Sequence, residues 1–354
     1  MQGVFGTPLR GMVLCAGMGS RLGELGEELP KPLLPVCNHP LLTYSLALLR
    51  GFGITEVGIN LHHLGELITA ALGDGRDYGV EINYSHEPEL LGTGGGLRKL
   101  AKFLTYDGRE PCVVVNGKLL VDVDLEAVLA LHRVTGATAT MVLRETPDAD
   151  AWGAVEVDHD GRIHRLLGQT SPLPPPTSLS RCMFTGVQII EPQLLARLPD
   201  GQPSCVVRQG YVPALREGEV LSGYIIPGYF FEHSTPERYL QGNLNALRGD
   251  AQLTYPPGPL QGISPRAQIS PRAMIIGPVC IGAGAVVDDG AIVGPDAIVG
   301  EGARIERGVH LVRTIVFAGA HVRKSVYSAV VTPKAVYPID QHGQGEPAAK
   351  APTP

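Results

Sequence analysis

The sequence predicts an α/β domain on a mostly parallel central sheet, followed by a left-handed parallel β-helix. Two observations carry that expectation. Short aliphatic runs alternate with segments of helical spacing from Met12 to Arg144, the pattern of a parallel sheet covered on both faces. From Ile263 onward, aliphatic residues recur every six positions, the period of a hexapeptide solenoid.

The elements follow in order. Met12 to Ala16 reads as a buried strand, Leu41 to Phe52 as a helix, and Glu56 to Leu61 as strand again. Leu64 to Leu72 is helical, Val80 to Tyr84 extended, Leu97 to Leu104 helical and Cys112 to Asn116 extended. Asp124 is placed to cap a helix running to Val134, ahead of a strand from Thr138 to Arg144. Ala154 to Asp158 and Arg162 to Leu167, joined by Asp160-Gly161, predict a hairpin. The proline-rich stretch SPLPPPTS reads as a surface excursion, since Phe184 to Ile190 resumes a core-like strand.

Stepping by six from Ile263 gives Ile269, Ile275, Ile281, Val287, Val293, Val299, Ile305, Leu311 and Phe317. Four residues after each step from Ile263 to Leu311 comes a small or β-branched residue, from Ala267 to Ile315. An aliphatic pointing into a narrow core and a small residue at the corner produce that phase, and three steps make one coil, so roughly three coils are expected. The domains are therefore read as 1–256 and 257–336, with 337–354 as a polar, disordered tail.

Composition narrows the partners. The 354 residues are 44% apolar and carry a formal charge of -6, which argues against a nucleic-acid or anionic-membrane surface. An anionic ligand must then be met by local cations. The six cysteines are scattered without zinc spacing, as expected of reduced thiols in a cytoplasmic protein, and no leader or membrane-spanning run is visible.

The first strand runs into AGMGSRLGELGEELPKPLLPV. Gly17 and Gly19, after Ala16, let backbone N–H groups approach phosphate oxygens, with Ser20 and the guanidinium of Arg21 alongside. Lys31 lies between Pro30 and Pro32, which stiffen the backbone that aims its ammonium. A dinucleotide fingerprint fails because Leu22 stands where its third glycine belongs, and a P-loop fails for want of Gly-Lys-Ser/Thr.

Ala16-Gly17-Met18-Gly19-Ser20-Arg21-Leu22 with Pro30-Lys31-Pro32-Leu33-Leu34-Pro35-Val36 resembles the signature of the sugar-nucleotide pyrophosphorylases. Leu91-Gly92-Thr93-Gly94-Gly95 is similar to that family's nucleotide loop, and Ser234 to Leu240 to the segment closing its catalytic domain. The resemblance covers Met12 to about Val331. It implies a Rossmann-like nucleotidyltransferase domain that joins a nucleoside triphosphate to a sugar 1-phosphate, mannose-1-phosphate guanylyltransferase-like by preference, with Mg²⁺ as cofactor. A homo-oligomer assembled through the β-helix is expected with it.

By the same resemblance Arg21 meets the triphosphate, Lys31 the transferring phosphates, and Gly92 and Thr93 line the nucleotide. Gln169 and Gly186 fall where the sugar phosphate is held, and Glu87 or Glu89 near the position that reads the base. A carboxylate only accepts hydrogen bonds, which suits guanine's donors. Two departures stand out. Relatives place Asn-Gly-Asp at the end of the central strand as a magnesium ligand; this chain has Asn116-Gly117-Lys118. The second acidic ligand becomes Glu232, while Gln169 replaces a lysine. Lys118 with Glu232 carries the same formal charge as two carboxylates with Mg²⁺, although an ammonium cannot impose octahedral geometry. Asp122 or Asp124 are alternative metal ligands. The competing expectation is a catalytically weakened paralogue that binds nucleotide sugar and regulates or scaffolds a partner.

Overall fold

The computed structural model describes residues 8–339, so most of the expected tail lies outside the described residues. Arg10–Leu14 is the hub of the central sheet, parallel to Glu56–Leu61 on one side and to Cys112–Asn116 on the other. Glu81–His86 extends the parallel part. Beyond Cys112–Asn116 the direction reverses: Ser180–Ile190 is antiparallel to it and carries Ala139–Glu145 and the hairpin Val155–Val157 / Ile163–Leu166. The sheet is thus mixed, with its parallel half where βα units alternate in sequence. Along Cys112–Asn116 successive side chains go to opposite faces. Val113 and Val115 join one core with Ile59 and Leu49, while Cys112 and Val114 join another with Leu97 and Tyr211.

The expected helices form with small shifts in their ends. Leu41–Gly51 and Gly65–Leu72 fall where apolar spacing places them, and the Asp124 carboxylate accepts from the N–H groups of Glu126 and Ala127 to start Leu125–Thr135. The helix expected from Leu97 begins earlier, at Gly92, and takes the glycine run Gly94-Gly95-Gly96 into its first turns. Glycines are poor helix formers; here neighbouring chain lies where a Cβ would be, 2.6 Å from the Ser204 Oγ at Gly94 and from the Gln202 carbonyl at Gly95.

The C-terminal part is a parallel β-helix of short strands stacked in register. The stack is taller than three coils: Gly262–Ile263, Val279–Ile281, Ala297–Val299, His310–Val316 and Val326–Val331 make five levels on one face. The six-residue phase holds to Leu311, which pairs with Val293. It then slips. Val299 pairs with Val316, so the next inward step takes five residues, with Arg313 in a left-handed conformation at the tightened corner. Val316 therefore fills the solenoid core, while Ile315 and Phe317, expected in the repeat phase, face the α/β domain. The last strand, Val336–Pro338, pairs with Val326–Val331 and so extends into the stretch read as tail.

The two parts share a core. Leu22, Leu25, Leu34 and Val36, the apolar residues of the glycine loop and its sequel, pack with Tyr239, Leu240 and Leu244 of helix Pro236–Arg248 and with Ile298, Ile315, Phe317 and Val330 of the solenoid. Polar ties follow the same line: Arg248 makes a two-pronged ion pair with Asp296, and the Tyr337 hydroxyl donates to Glu28.

Candidate functional site

The site begins where three parallel strands end, the usual ligand edge of such sheets. After Arg10–Leu14 the chain enters the glycine loop. Gly17 faces open space, Gly19 is left-handed with φ 67°, and Ser20–Leu22 form a 3₁₀ turn that leaves Arg21 exposed. Ala16 beneath it is buried. Pro30 leads into a second 3₁₀ turn, Lys31–Leu33, that leaves Lys31 half-buried.

Lys118 is delivered by a tight turn. Its N–H donates to the Asn116 carbonyl at 2.8 Å, and Gly117 donates to Leu14 at 3.0 Å. The turn is held from both sides: a Cβ on Gly117 would lie 2.6 Å from the Cys15 Sγ, and one on Gly186 would lie 2.2 Å from the Asn116 Nδ2. Leu119–Val121 then pairs antiparallel with Phe230–Glu232, Leu119 opposite Glu232, and the Lys118 carbonyl accepts from the N–H of His233. That ribbon closes the constellation.

The Lys118 Nζ lies 2.9 Å from the Glu232 Oε1, and a terminal nitrogen of Arg21 lies 3.6 Å from the same oxygen. Burial drives the Lys31 ammonium down to about 8, helped by the positive charges of Lys118 and Arg21 and opposed by Glu232. Burial acts to raise Glu232, but Lys118, Arg21 and Lys31 outweigh it and hold the carboxyl below its ordinary range. Three cations against one carboxylate leave a formal charge of +2 at the foot of the glycine loop. Such a net positive charge attracts anions.

The donor set does not suit a divalent ion. Glu232, expected as a metal ligand, is engaged here by Lys118 and Arg21, with its carboxylate placed as their counter-ion. Asp122 accepts from the Thr254 N–H at 2.8 Å, and Asp124 caps its helix. An incoming Mg²⁺ would meet ammonium and guanidinium groups where it needs oxygens.

Glu87, expected near the base, is held by the protein itself. It is only 3% exposed, with one oxygen accepting from the Asn60 Nδ2 at 2.8 Å and the other from the Leu91 N–H at 3.0 Å. A carboxylate so engaged is not presented to a base. Asn60 in turn accepts from the Cys15 N–H at 2.9 Å, so Asn60 and Glu87 tie the end of the first strand to the start of helix Gly92–Leu104. Glu89 is exposed nearby.

The other expected residues are more scattered. Gly92 is left-handed and lies against the Ser204 carbonyl, which accepts from Gly94, and the Thr93 hydroxyl accepts from Val206. Gln169 is exposed on the edge strand Gln169–Thr170, outside the cation cluster's contacts. Gly186 is buried beneath Asn116, where it supports the lysine turn.

Sequence reasoning passed over Asn60, Arg238 and His233. Arg238 donates to the Glu232 carbonyl at 2.9 Å and stacks 4.6 Å over Phe231, fixing the strand that carries the carboxylate. His233 is fully buried with its ring against Gly242, and burial pushes it down to about 3, so it is a neutral packing residue. The position of Arg238, in the first turn of the helix opened by Thr235, was a usable signal; Asn60 sits inside an ordinary strand and offered none.

A family model described as nucleotidyl transferase matches residues 10–168. Mannose-1-phosphate guanylyltransferase of Mycobacterium tuberculosis is 32% identical over 241 residues, 68% of this chain and 65% of that protein. UTP–glucose-1-phosphate uridylyltransferase of Synechocystis is 34% identical over 205 residues, 55% of this chain and 52% of that protein. The chain thus spans less than two thirds of the length of either curated relative. Among solved structures, HddC from Yersinia pseudotuberculosis shares the fold at a TM-score of 0.54 and 19% identity, over 66% of this chain and 98% of that one.

Proposed function

We propose, from the premise that residues 10–168 are a nucleotidyl transferase domain, that this chain joins a nucleoside triphosphate to a sugar 1-phosphate, giving a nucleoside-diphosphate sugar and pyrophosphate. The observation that carries the reading is the cation cluster of Arg21, Lys31 and Lys118 beneath the glycine loop, at the sheet edge where nucleotides are held. An oxygen of the sugar phosphate attacks the α-phosphorus, the bond to the β-phosphate oxygen breaks, and pyrophosphate leaves with the electron pair. Two polyanions must be held together while charge moves to the leaving group. Arg21 and Lys31 are assigned to the triphosphate and Lys118 to the charge gathering on the departing phosphates.

A guanylyl donor and mannose 1-phosphate are the favoured pair. The support is likeness to the Mycobacterium tuberculosis protein, since Glu87 is not free to read the base.

The Lys118–Glu232 ion pair favours a second reading, a nucleotide-sugar-binding subunit with weakened turnover that acts on a partner. One experiment separates the two: pyrophosphate release across a panel of nucleoside triphosphates and sugar 1-phosphates, with Mg²⁺ and with chelator. Turnover on any pair upholds the transferase. A silent wild type that binds nucleotide sugar, with activity gained in Lys118→Asp, upholds the binding subunit instead.

A further inference from the structure

We infer that the Lys118 ammonium stands in for a divalent cation, so that this site grips the phosphate chain of a nucleotide or nucleotide sugar without Mg²⁺. The inference rests on the nucleotide-site reading above and concerns only how the phosphates are held.

Three features carry it. The first is position: Lys118 is at the carboxyl end of the central strand, on a turn pinned between the first strand at Gly117 and Gly186 beneath Asn116. A side chain on a backbone so held is aimed rather than free. The second is the Glu232 carboxylate oxygen that Lys118 hydrogen-bonds at 2.9 Å, which fixes the ammonium before any ligand arrives, with the half-exposed Arg21 guanidinium 3.6 Å from the same oxygen. The third is the absence of a rival ligand set. Asp122 and Asp124 turn their carboxylates to backbone N–H groups elsewhere, and Glu87 is committed to Asn60 and Leu91. Among the described residues, no group of three or more His, Cys, Asp or Glu side chains could hold a metal ion.

The charge balance matches a diphosphate. The cluster's formal +2 meets an anion of two to three negative charges directly, whereas the Mg²⁺ complex of the same anion arrives with most of that charge already neutralised. Free polyphosphate is therefore the better partner, and added Mg²⁺ competes with the protein for it.

The test is calorimetric titration of the full chain with GTP and with inorganic pyrophosphate, a probe that carries no base, in chelator and in excess Mg²⁺. Wild type should bind both probes at least as tightly in chelator as in Mg²⁺. Lys118→Met should bind about ten-fold more weakly in chelator, the loss of one charge-assisted contact. Lys118→Asp should reverse the dependence, gaining about ten-fold when Mg²⁺ is added. Thermal unfolding of both variants checks that they are folded. Wild-type binding that appears only with Mg²⁺, or Lys118→Met binding like wild type in chelator, overturns the inference and leaves the transferase reading intact. If neither probe binds under either condition, the nucleotide site itself falls and takes the inference with it.

Discussion

Glu232→Gln exchanges a carboxylate for an amide of the same shape and should expose the tension in the site. At an effective dielectric constant near 20, a unit pair at 2.9 Å is worth roughly 6 kcal/mol, and one at 3.6 Å roughly 5 kcal/mol. The Arg21 contribution is mostly screened, because its side chain is 48% exposed. Against the loss stand two gains: the glutamine amide still accepts from Lys118, and the cost of burying a carboxylate disappears. The net destabilisation of the ligand-free protein should be about 2 kcal/mol, a fall in thermal midpoint of roughly 3 °C. Anion binding should move the other way. With its counter-ion gone the cluster carries +3, so pyrophosphate should bind several-fold more tightly and restore more of the midpoint than it does in wild type. Thermal unfolding with and without pyrophosphate, paired with titration calorimetry, measures both. A variant as stable as wild type, or one that loses anion binding, would refute the counter-ion role; loss is the result a metal-ligating carboxylate would give.

Lys31 makes the site pH-sensitive. Its folded value of about 8 lies below the ordinary 10.5, so the folded state carries a penalty for the charged form that is relieved as pH rises from about 8 towards 10.5. Thermal stability of the ligand-free chain should therefore gain a contribution in that window while pyrophosphate affinity falls through it, and Lys31→Arg should flatten the affinity profile. Gly186→Ala should cost at least 2 kcal/mol, since φ is 90° and the new Cβ would lie 2.2 Å from the Asn116 side chain; the same change should weaken pyrophosphate binding by disturbing the Lys118 turn. Denaturation and titration of that variant would show stability lost without affinity if the turn does not aim the lysine. Arg248→Ala breaks the two-pronged pair with Asp296 and should lower stability by about 2 kcal/mol; limited proteolysis should then cut between the α/β domain and the solenoid.

How much of this was legible in advance depended on the kind of signal. Strand Cys112–Asn116 and helix Leu41–Gly51 could be read because burial imposes a period on the chain, and the Asp124 cap because its partners are two and three residues away. The glycine loop was legible for a related reason, since Gly19 must adopt a left-handed backbone and few residue types do so cheaply. What was not legible shares a cause as well. Glu87 was placed near the base by its neighbourhood in sequence; that its carboxylate meets Asn60, 27 residues away on another strand, no local spacing records. Phe317 kept the six-residue phase in sequence but not in space, because the corner at Arg313 shortens one step and turns Phe317 outward onto helix Pro236–Arg248.

The sequence by itself determined the alternation that builds the sheet, the hexad that builds the solenoid, and the identities of the cations beside the glycine loop. These are local matters, written wherever a residue's neighbours along the chain are also its neighbours in space. Only the tertiary structure decided that Lys118 and Glu232, 114 residues apart, face each other. It decided too that Arg21 shares the same oxygen and that the solenoid packs onto the segment behind the phosphate loop. The physical reason is that charge acts through distance alone: pairing one short strand with another sets that distance, and no period or spacing records it.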